Sequence, residues 1–370
     1  MKILIKGYYG FGNLGDDLLM LVTHKMVRRK YPQAIVKIFS NNSRNNPDSK
    51  APEGYNQYIT KLLGEKVEII DWQDKEFFDI IIHGGGGTYF DHSKGSNVLL
   101  NRILLAMPVR YVTIIDSCFR RLLGKPKRLA FNTRIGIGIG IGKYSKSSKQ
   151  LYHHLAEIGS YNKLVVRDGH SQRFLVRQNF NQQKLHLNTD LAFLNTWNSI
   201  GKTEHQKIQS IGIVVKHGLP TNFIETIKLF HRTMSNEGVN VSLYSFEELN
   251  DQVCNEHFNP LEITMYSPQR MDSFLASLAS DDLIVTTRAH GAIIAACHGI
   301  PTIILSKDVK LKEVHLMLKK SSILLQTGDL DDLYLSYKKV SRNYPNFIKH
   351  LEEDLAYNQK LASKISELID

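Results

Sequence analysis

Short runs of nearly uninterrupted apolar residues recur along this chain, set between segments of helical periodicity. A strand with one face in water alternates apolar and polar residues. A near-continuous apolar strand has to be covered on both faces. Helices that connect one parallel strand to the next supply that cover. The chain therefore reads as α/β, with doubly wound parallel sheets.

In the first half, strands are expected at 2–6, 34–39, 67–70, 78–83 and 128–134, the last followed by a glycine-rich turn, and at 164–167. Helical periodicity covers 18–30, 151–161 and 171–178. The polar stretch 194–209 lacks periodicity and reads as a linker. The same rhythm then restarts: strands at 210–215, 239–245, 282–286 and 302–305, and helices at 222–235, 271–279 and 291–298. With 370 residues the chain fits two domains of common size. We expect an N-terminal α/β domain over 1–195 and a C-terminal α/β domain over 205–345. A tail helix, 346–370, is expected to pack back on the first domain. Two such domains face each other across a cleft, and ligands bind beyond the carboxyl ends of the strands.

Composition narrows the function. The net charge of +11 is spread along the chain, with no Arg- or Lys-rich arm. That favours acidic small molecules or an anionic surface over nucleic acid. Cys118, Cys254 and Cys297 are far apart in sequence, which suggests neither a metal site nor a disulfide framework and fits reduced thiols in the cytoplasm. Glycines and acids interrupt the apolar N-terminus after a few residues, unlike a signal peptide, and no apolar stretch is long enough to span a membrane.

Five motifs fall at the ends of expected strands. The first runs from Gly7 to Asp17 (GYYGFGNLGDD), where Gly12, Asn13, Gly15 and Asp16 can meet an anion or sugar at a helix N-terminus. The plainer reading is that Asn13, Asp16 or Asp17 caps the helix. No G-K-[ST] ends the loop, and its glycine spacing misfits the dinucleotide fingerprint. The second is His83 to Asp91 (HGGGGTYFD): Gly85 and Gly86 would line a phosphate or sugar, and Asp91 could act as a base or be a solvated acid. The third, Gly136 to Gly142 (GIGIGIG), suggests close backbone packing or a strand facing a cleft. The fourth, Val165 to Ser171 (VVRDGHS), offers Arg167 as a fork for carboxylate or phosphate, or merely as a partner of Asp168. Asn188 to Phe193 (NTDLAF) is similar, with Asp190 before an apolar segment.

The fifth motif, Thr286 to Ala292 (TTRAHGA), is the sharpest. Arg288 can pair with an anion at a helix N-terminus, and His290 can move a proton near neutral pH. A buried structural Arg–His pair is the plainer alternative. Lys307 and Lys310 follow the next strand and add positive charge, while Cys297 reads as packing within an apolar helix. Separately, the apolar segment 98–128 carries Arg102, Arg110, Arg120, Arg121, Lys125, Lys127 and Arg128. It fits peripheral contact with an anionic membrane near a lipid-linked acceptor; an inserted helical pair with a solvated basic face is slightly preferred.

In this order the motifs resemble the polysaccharide pyruvyl transferase family. The carriers are G-Y-Y-G-F-G-N-L-G-D, G-G-G-G, G-I-G-I-G, V-R-D, T-D-L-A-F, and R-A-H followed by G-I-P, spanning residue 3 to about 310. The resemblance implies a glycosyltransferase-B-like fold of two Rossmann-like domains, the first on the acceptor side and the second on the donor side. It implies phosphoenolpyruvate as donor substrate, a pyruvate ketal on a sugar of a surface glycan, and no separate cofactor. It assigns donor binding or activation to Arg167, Arg288 and His290. Three positions depart from the family's pattern: Ala289, Gly142-Lys143 and Lys216-His217.

The expected chemistry follows. Arg167, Arg288, Lys307 and the helix N-terminus would hold the carboxylate and phosphate. His290 would protonate the methylene carbon, and Asp91 or Asp17 would take a proton from the sugar hydroxyl. No ligand cluster calls for a metal. Two other readings stand beside this one: a nucleotide-sugar-dependent glycosyltransferase of the same architecture, and a non-catalytic sugar- or membrane-binding protein.

Overall fold

A computed structural model describes residues 1–40, 55–71, 74, 76–90, 98–123, 129–145, 147–195, 207–247, 251, 257–259 and 262–369. The strands of the first domain are β1 (Lys2–Lys6), β2 (Ile35–Phe39), β3 (Glu68–Ile70), β4 (Phe77–Tyr89), β5 (Ala130–Ile141), β6 (Lys163–Val166) and β7 (Leu185–Leu187). Those of the second are β8 (Ser210–Val215), β9 (Asn240–Ser245), β10 (Ile263–Met265), β11 (Leu283–Thr286), β12 (Thr302–Leu305) and β13 (Ser322–Leu325). Both sheets are parallel, in the orders β3-β2-β1-β4-β5-β6-β7 and β10-β9-β8-β11-β12-β13. Each reverses direction once, between β1 and β4 and between β8 and β11. Those switch points open the crevices where α/β sheets take their ligands.

The helices between the strands of the first domain are α1 (Leu14–Lys30), α2 (Tyr55–Leu63), α3 (Val98–Ala106), α4 (Val109–Leu122), α5 (Leu151–Ile158) and α6 (Gly169–Arg177). The rest are α7 (Thr221–Asn236), α8 (Met271–Ala279), α9 (Ala289–Cys297), α10 (Val309–Met317), α11 (Leu330–Arg342) and α12 (Tyr344–Ser363). Among the described residues, no helix is long and apolar enough to cross a membrane.

Both glycine runs lie in strands: the first is not the loop its composition suggests, and the second, through Ile141, takes the expected strand reading and not the turn. His83 and Gly84 pair with Gly136 and Ile137, and Gly86 pairs with Ile139. The glycines are there because neighbours press on the backbone. A Cβ on Gly136 would meet Leu164 at 2.6 Å, and one on Gly140 would meet the Arg167 guanidinium at the same distance. The isoleucines between them, Ile137, Ile139 and Ile141, are buried. Gly85 and Gly86 take the left-handed backbone (φ of 69° and 85°) at the irregularity near the end of β4.

The two domains share cores. Every residue of α9 is buried. Ala289, Ala292, Ile293 and Ala296 pack with Ile3, Met20, Leu191 and Phe193 of the first domain. In return, Leu14 and Leu18 of α1 join Val214, Tyr244 and Ile294 of the second. The small residues of α9 let it lie this close to both. After α11 the chain returns to the first domain. Leu351, Ala362, Ile365 and Ile369 complete its core, and Asn358 accepts a 2.6 Å hydrogen bond from Thr189 while donating to the Met317 carbonyl.

Candidate functional site

The carboxyl ends of β1, β6, β7, β11 and β12 converge between the domains, each delivering a short polar segment. After β6, Asp168 caps α6 by accepting from the Ser171 amide, which leaves Arg167 fully buried at the strand end. After β7, Asp190 caps the short helix Leu191–Leu194. Arg167 Nη1 donates to Asp190 Oδ2 at 2.7 Å. From the second domain, His290 Nε2 lies 3.8 Å from the same Asp190 oxygen. One carboxylate thus faces an arginine of the first sheet and a histidine of the second.

His290 sits in the first turn of α9, whose start is held by Thr286: its hydroxyl accepts from the Arg288 amide and donates to the Arg288 carbonyl. The imidazole lies against the first turn of α1, where a Cβ on Gly15 would stand 1.8 Å from Nδ1. That contact requires glycine. The next residue, Asp16, is half-buried, and Gly86 lies beside it with Asp16 Oδ1 only 3.2 Å from where a Cβ would be. Burial pushes the Asp16 carboxyl up to about 6, helped by the negative charges of Asp17 and Glu247 and opposed by His290 and Lys310. A carboxyl in that range can both give and take a proton near neutral pH. Asp190 behaves oppositely: burial works against its charge, yet Arg167 and His290 hold it well below the usual carboxylate range.

Lys310, in the first turn of α10, completes the cluster. Burial and then the Arg167 charge push its ammonium down to about 8, while Asp16, Asp190 and Asp308 pull it up. Next to these groups is a cavity of 280 Å³ lined by Arg167, His170, Lys143, Lys307 and Lys310, with Phe90 and Gly142 as its apolar wall. The acids at its rim, Asp168, Asp308 and Glu313, are largely engaged. Asp168 and Asp308 cap α6 and α10, and Glu313 accepts from the Gly169 amide and from Arg173. Four cationic side chains, Lys143, Arg167, Lys307 and Lys310, thus face these three acids around the cavity.

Several expected residues stand elsewhere. Arg288 caps α9 with its backbone, but its Nη2 donates to both Asp251 oxygens at 2.6 Å and to Glu247 at 3.3 Å. It is not among the cavity's lining residues. An anion there would have to displace a buried carboxylate. Asp17 is buried and accepts from the Tyr266 hydroxyl at 2.7 Å, across the domain boundary. That interaction ties α1 to the second domain and gives the carboxylate a structural duty rather than the proton transfer expected of it. Asn13 accepts from the Gly15 and Asp16 amides and so caps α1, as its plainer reading had it. Gly12 takes a φ of 65° in the turn before that cap. Gly85 packs on Leu19 and Leu191. Asp91 lies outside the described residues, as does Cys254.

Among the described residues, His217, Glu247 and Asp251 offer ligand atoms within 4.8 Å of one another. The Arg288 guanidinium already supplies positive charge to both carboxylates there, and His217 adds a 2.9 Å backbone hydrogen bond to Asp251. These residues fit a salt-bridge hub better than a cation site. Cys297 is buried, and burial together with Asp190 pushes its thiol up to about 12, which suits packing and not attack. Asp190 and Lys310 are the cluster members that sequence reasoning underweighted. The signal existed in T-D-L-A-F and in the lysines after β12, but only the crossing of the domains shows what they face.

Fold and cluster together define the class: an α/β protein of the two-domain, glycosyltransferase-B-like architecture, with its polar centre in the cleft. The sequence model of the polysaccharide pyruvyl transferase family matches residues 13–308. The chain belongs to that family. A search of curated proteins by sequence finds no match. Solved structures of similar fold include a UDP-GlcNAc 2-epimerase from Neisseria meningitidis bound to UDP-GlcNAc, at 12% identity and a TM-score of 0.58, covering 100% of both chains. Another is the Methanocaldococcus jannaschii UDP-GlcNAc 2-epimerase in complex with UDP-GlcNAc and UDP, at 11% identity and a TM-score of 0.55, covering 100% of this chain and 99% of that one. A third is Anabaena HepE in complex with UDP and glucose, at 11% identity and a TM-score of 0.56, covering 100% and 98%. At such identities the likeness is one of fold.

Proposed function

We propose that the chain transfers the pyruvyl group of phosphoenolpyruvate to two hydroxyls of a sugar, forming a ketal. The observation that carries this reading is the small cationic cavity beside a histidine and a carboxyl tuned to about 6. At 280 Å³ the cavity is at or below the low end of ligand pockets, roughly 300–1,000 Å³, which suits a three-carbon phosphate better than a nucleotide sugar. Arg167, Lys307 and Lys310 would hold the phosphate and carboxylate.

His290 or Asp16 would deliver a proton to the methylene carbon, making it a methyl group and leaving C2 electron-poor. The first sugar oxygen bonds to C2 and loses its proton to the carboxylate that remains. The second sugar oxygen then bonds to C2 as the C2–O bond to phosphate breaks; inorganic phosphate leaves with the electron pair and takes up the proton of that second hydroxyl. Asp190, ionised and held by Arg167, would orient the His290 ring, whose Nε2 lies 3.8 Å away. The acceptor is a sugar of a surface glycan or its precursor.

A ligand that binds only the folded protein raises its melting temperature. The test is a thermal shift with phosphoenolpyruvate beside uridine and guanosine diphosphate sugars. We expect stabilisation by phosphoenolpyruvate alone, weakened in Lys310→Gln, and loss of turnover in a correctly folded His290→Ala. Stabilisation by a nucleotide sugar alone would move the assignment to a nucleotide-sugar-dependent glycosyltransferase of the same architecture; the epimerase structures of similar fold hold UDP-GlcNAc.

A further inference from the structure

The segment of α3 and α4, between β4 and β5 in the chain, has a surface that the first domain does not use. Its inner side is ordinary. Leu104, Val109 and Val112 pack with Leu151, Leu155 and Ile158 of α5, and Asn101 donates to the Ser148 carbonyl at 2.8 Å. Its outer side is apolar and in water: Ile103, Ile114, Phe119, Leu122 and Leu123 are all about half or more exposed, Leu122 at 82%. Among the described residues, nine of the nineteen exposed large apolar side chains lie within residues 98–123. Monomeric proteins rarely leave so concentrated an apolar patch open without a partner for it.

The charge on this segment is one-sided. Arg102, Arg110, Arg120 and Arg121 stand against a single acid, Asp116, which Arg120 already pairs at 2.7 Å. The sequence adds Lys125, Lys127 and Arg128 directly after it. An apolar face with basic residues along it is the pattern of a helix lying in the interface of an anionic membrane. A second copy of the chain is a poor occupant, since a two-fold contact would bring the same cations face to face. The segment begins eight residues after Phe90, a lining residue of the cavity, a span of at most roughly 28 Å of extended chain.

We propose that the outer face of α3 and α4 docks on an anionic lipid surface and holds the cleft next to it. A sugar acceptor carried on a lipid would then be met at the membrane. The docking stands apart from the identity of the donor and is read without turnover.

The test is co-sedimentation of the full chain with vesicles of phosphatidylcholine, alone or with one third phosphatidylglycerol, at low and at physiological salt. We expect at least a tenfold stronger partition onto the phosphatidylglycerol vesicles, falling with salt. Ile114→Glu/Phe119→Glu should abolish it while leaving the circular dichroism and melting temperature near those of the parent. Arg110→Glu/Arg121→Glu, which leaves the apolar face intact, should weaken it several-fold. Absence of binding to either vesicle, or equal binding to both, overturns the proposal. So does a dimer in solution that Ile114→Glu/Phe119→Glu converts to monomer, or retention of a defined acidic protein by this face with no vesicle binding.

Discussion

At the scale of single residues, the cleft keeps charges where burial disfavours them, and two carry consequences for pH. The folded state raises the Asp16 carboxyl from 3.8 to about 6, so it binds that proton more tightly than the unfolded chain does. Stability therefore falls as pH rises through 4 to 6, and the penalty is fully present above 6. Asp16→Asn should remove it, stabilising the protein at pH 7 by up to about 3 kcal/mol, less what water screens at this half-exposed side chain. Calorimetry at pH 7 and pH 4 checks this: the gain should vanish at pH 4, and turnover of Asp16→Asn should drop by at least tenfold at any pH. A variant no more stable than the parent at pH 7 would show that the carboxyl is not strained. Lys310 carries the mirror-image effect. Its ammonium, at about 8, loses its proton as pH climbs, so affinity for an anionic donor should weaken toward tenfold per pH unit above 8. Calorimetric titration should find this slope in the parent and not in Lys310→Gln. A parent slope as flat as the variant's would remove Lys310 from the donor site.

At the scale of elements, the strands were legible because buried parallel strands are nearly continuous apolar runs, and most of those expected are found within a residue or two. The glycine segments were not. Composition makes Gly84–Gly87 look like a loop and leaves Gly136–Gly142 between turn and strand, whereas pairing between β4 and β5 draws the first run and the second as far as Ile141 into the sheet. Asn13 set the start of α1 earlier than periodicity suggested, since a capped turn need not be apolar. The site was half legible. His290 and Arg167 announce themselves at strand ends, but only the three-dimensional crossing shows that Asp190 joins them and that Asp251 occupies Arg288. The glycine geometry can be tested by comparison. Gly138 has a φ of 63° and would set a Cβ 2.8 Å from Leu191, while Gly299, at 74°, has nothing within 4 Å. Both pay for a left-handed backbone, about 1 kcal/mol or more, but only Gly138→Ala must also move the residue next to Asp190. Denaturant unfolding should find Gly138→Ala less stable than Gly299→Ala by about 1–3 kcal/mol, with donor binding weakened only in the former. Equal losses in both would mean that the Leu191 contact yields freely.

At the scale of the whole molecule, the domains are tied by shared cores rather than joined by a linker alone. Leu14 and Leu18 belong to the second domain's packing, α9 belongs to both, and α12 returns to the first. A chain truncated after residue 343 would uncover Leu351's partners and the seats of Ala362, Ile365 and Ile369. It should lose the cooperative melting of the full chain, and limited proteolysis should cut first within residues 1–195. A truncated chain with an unchanged melting temperature would show that the tail is dispensable.

That return path also bears on how the protein is made. The ribosome releases the first sheet early, yet its hydrophobic centre is closed by side chains as late as Ile369. At roughly 5–20 residues per second, the 174 residues from Asn195 to Ile369 take roughly 9–35 s to appear. For that interval the nascent first domain has an open seam on its apolar interior, so a chaperone is expected to engage it there before the second domain has emerged.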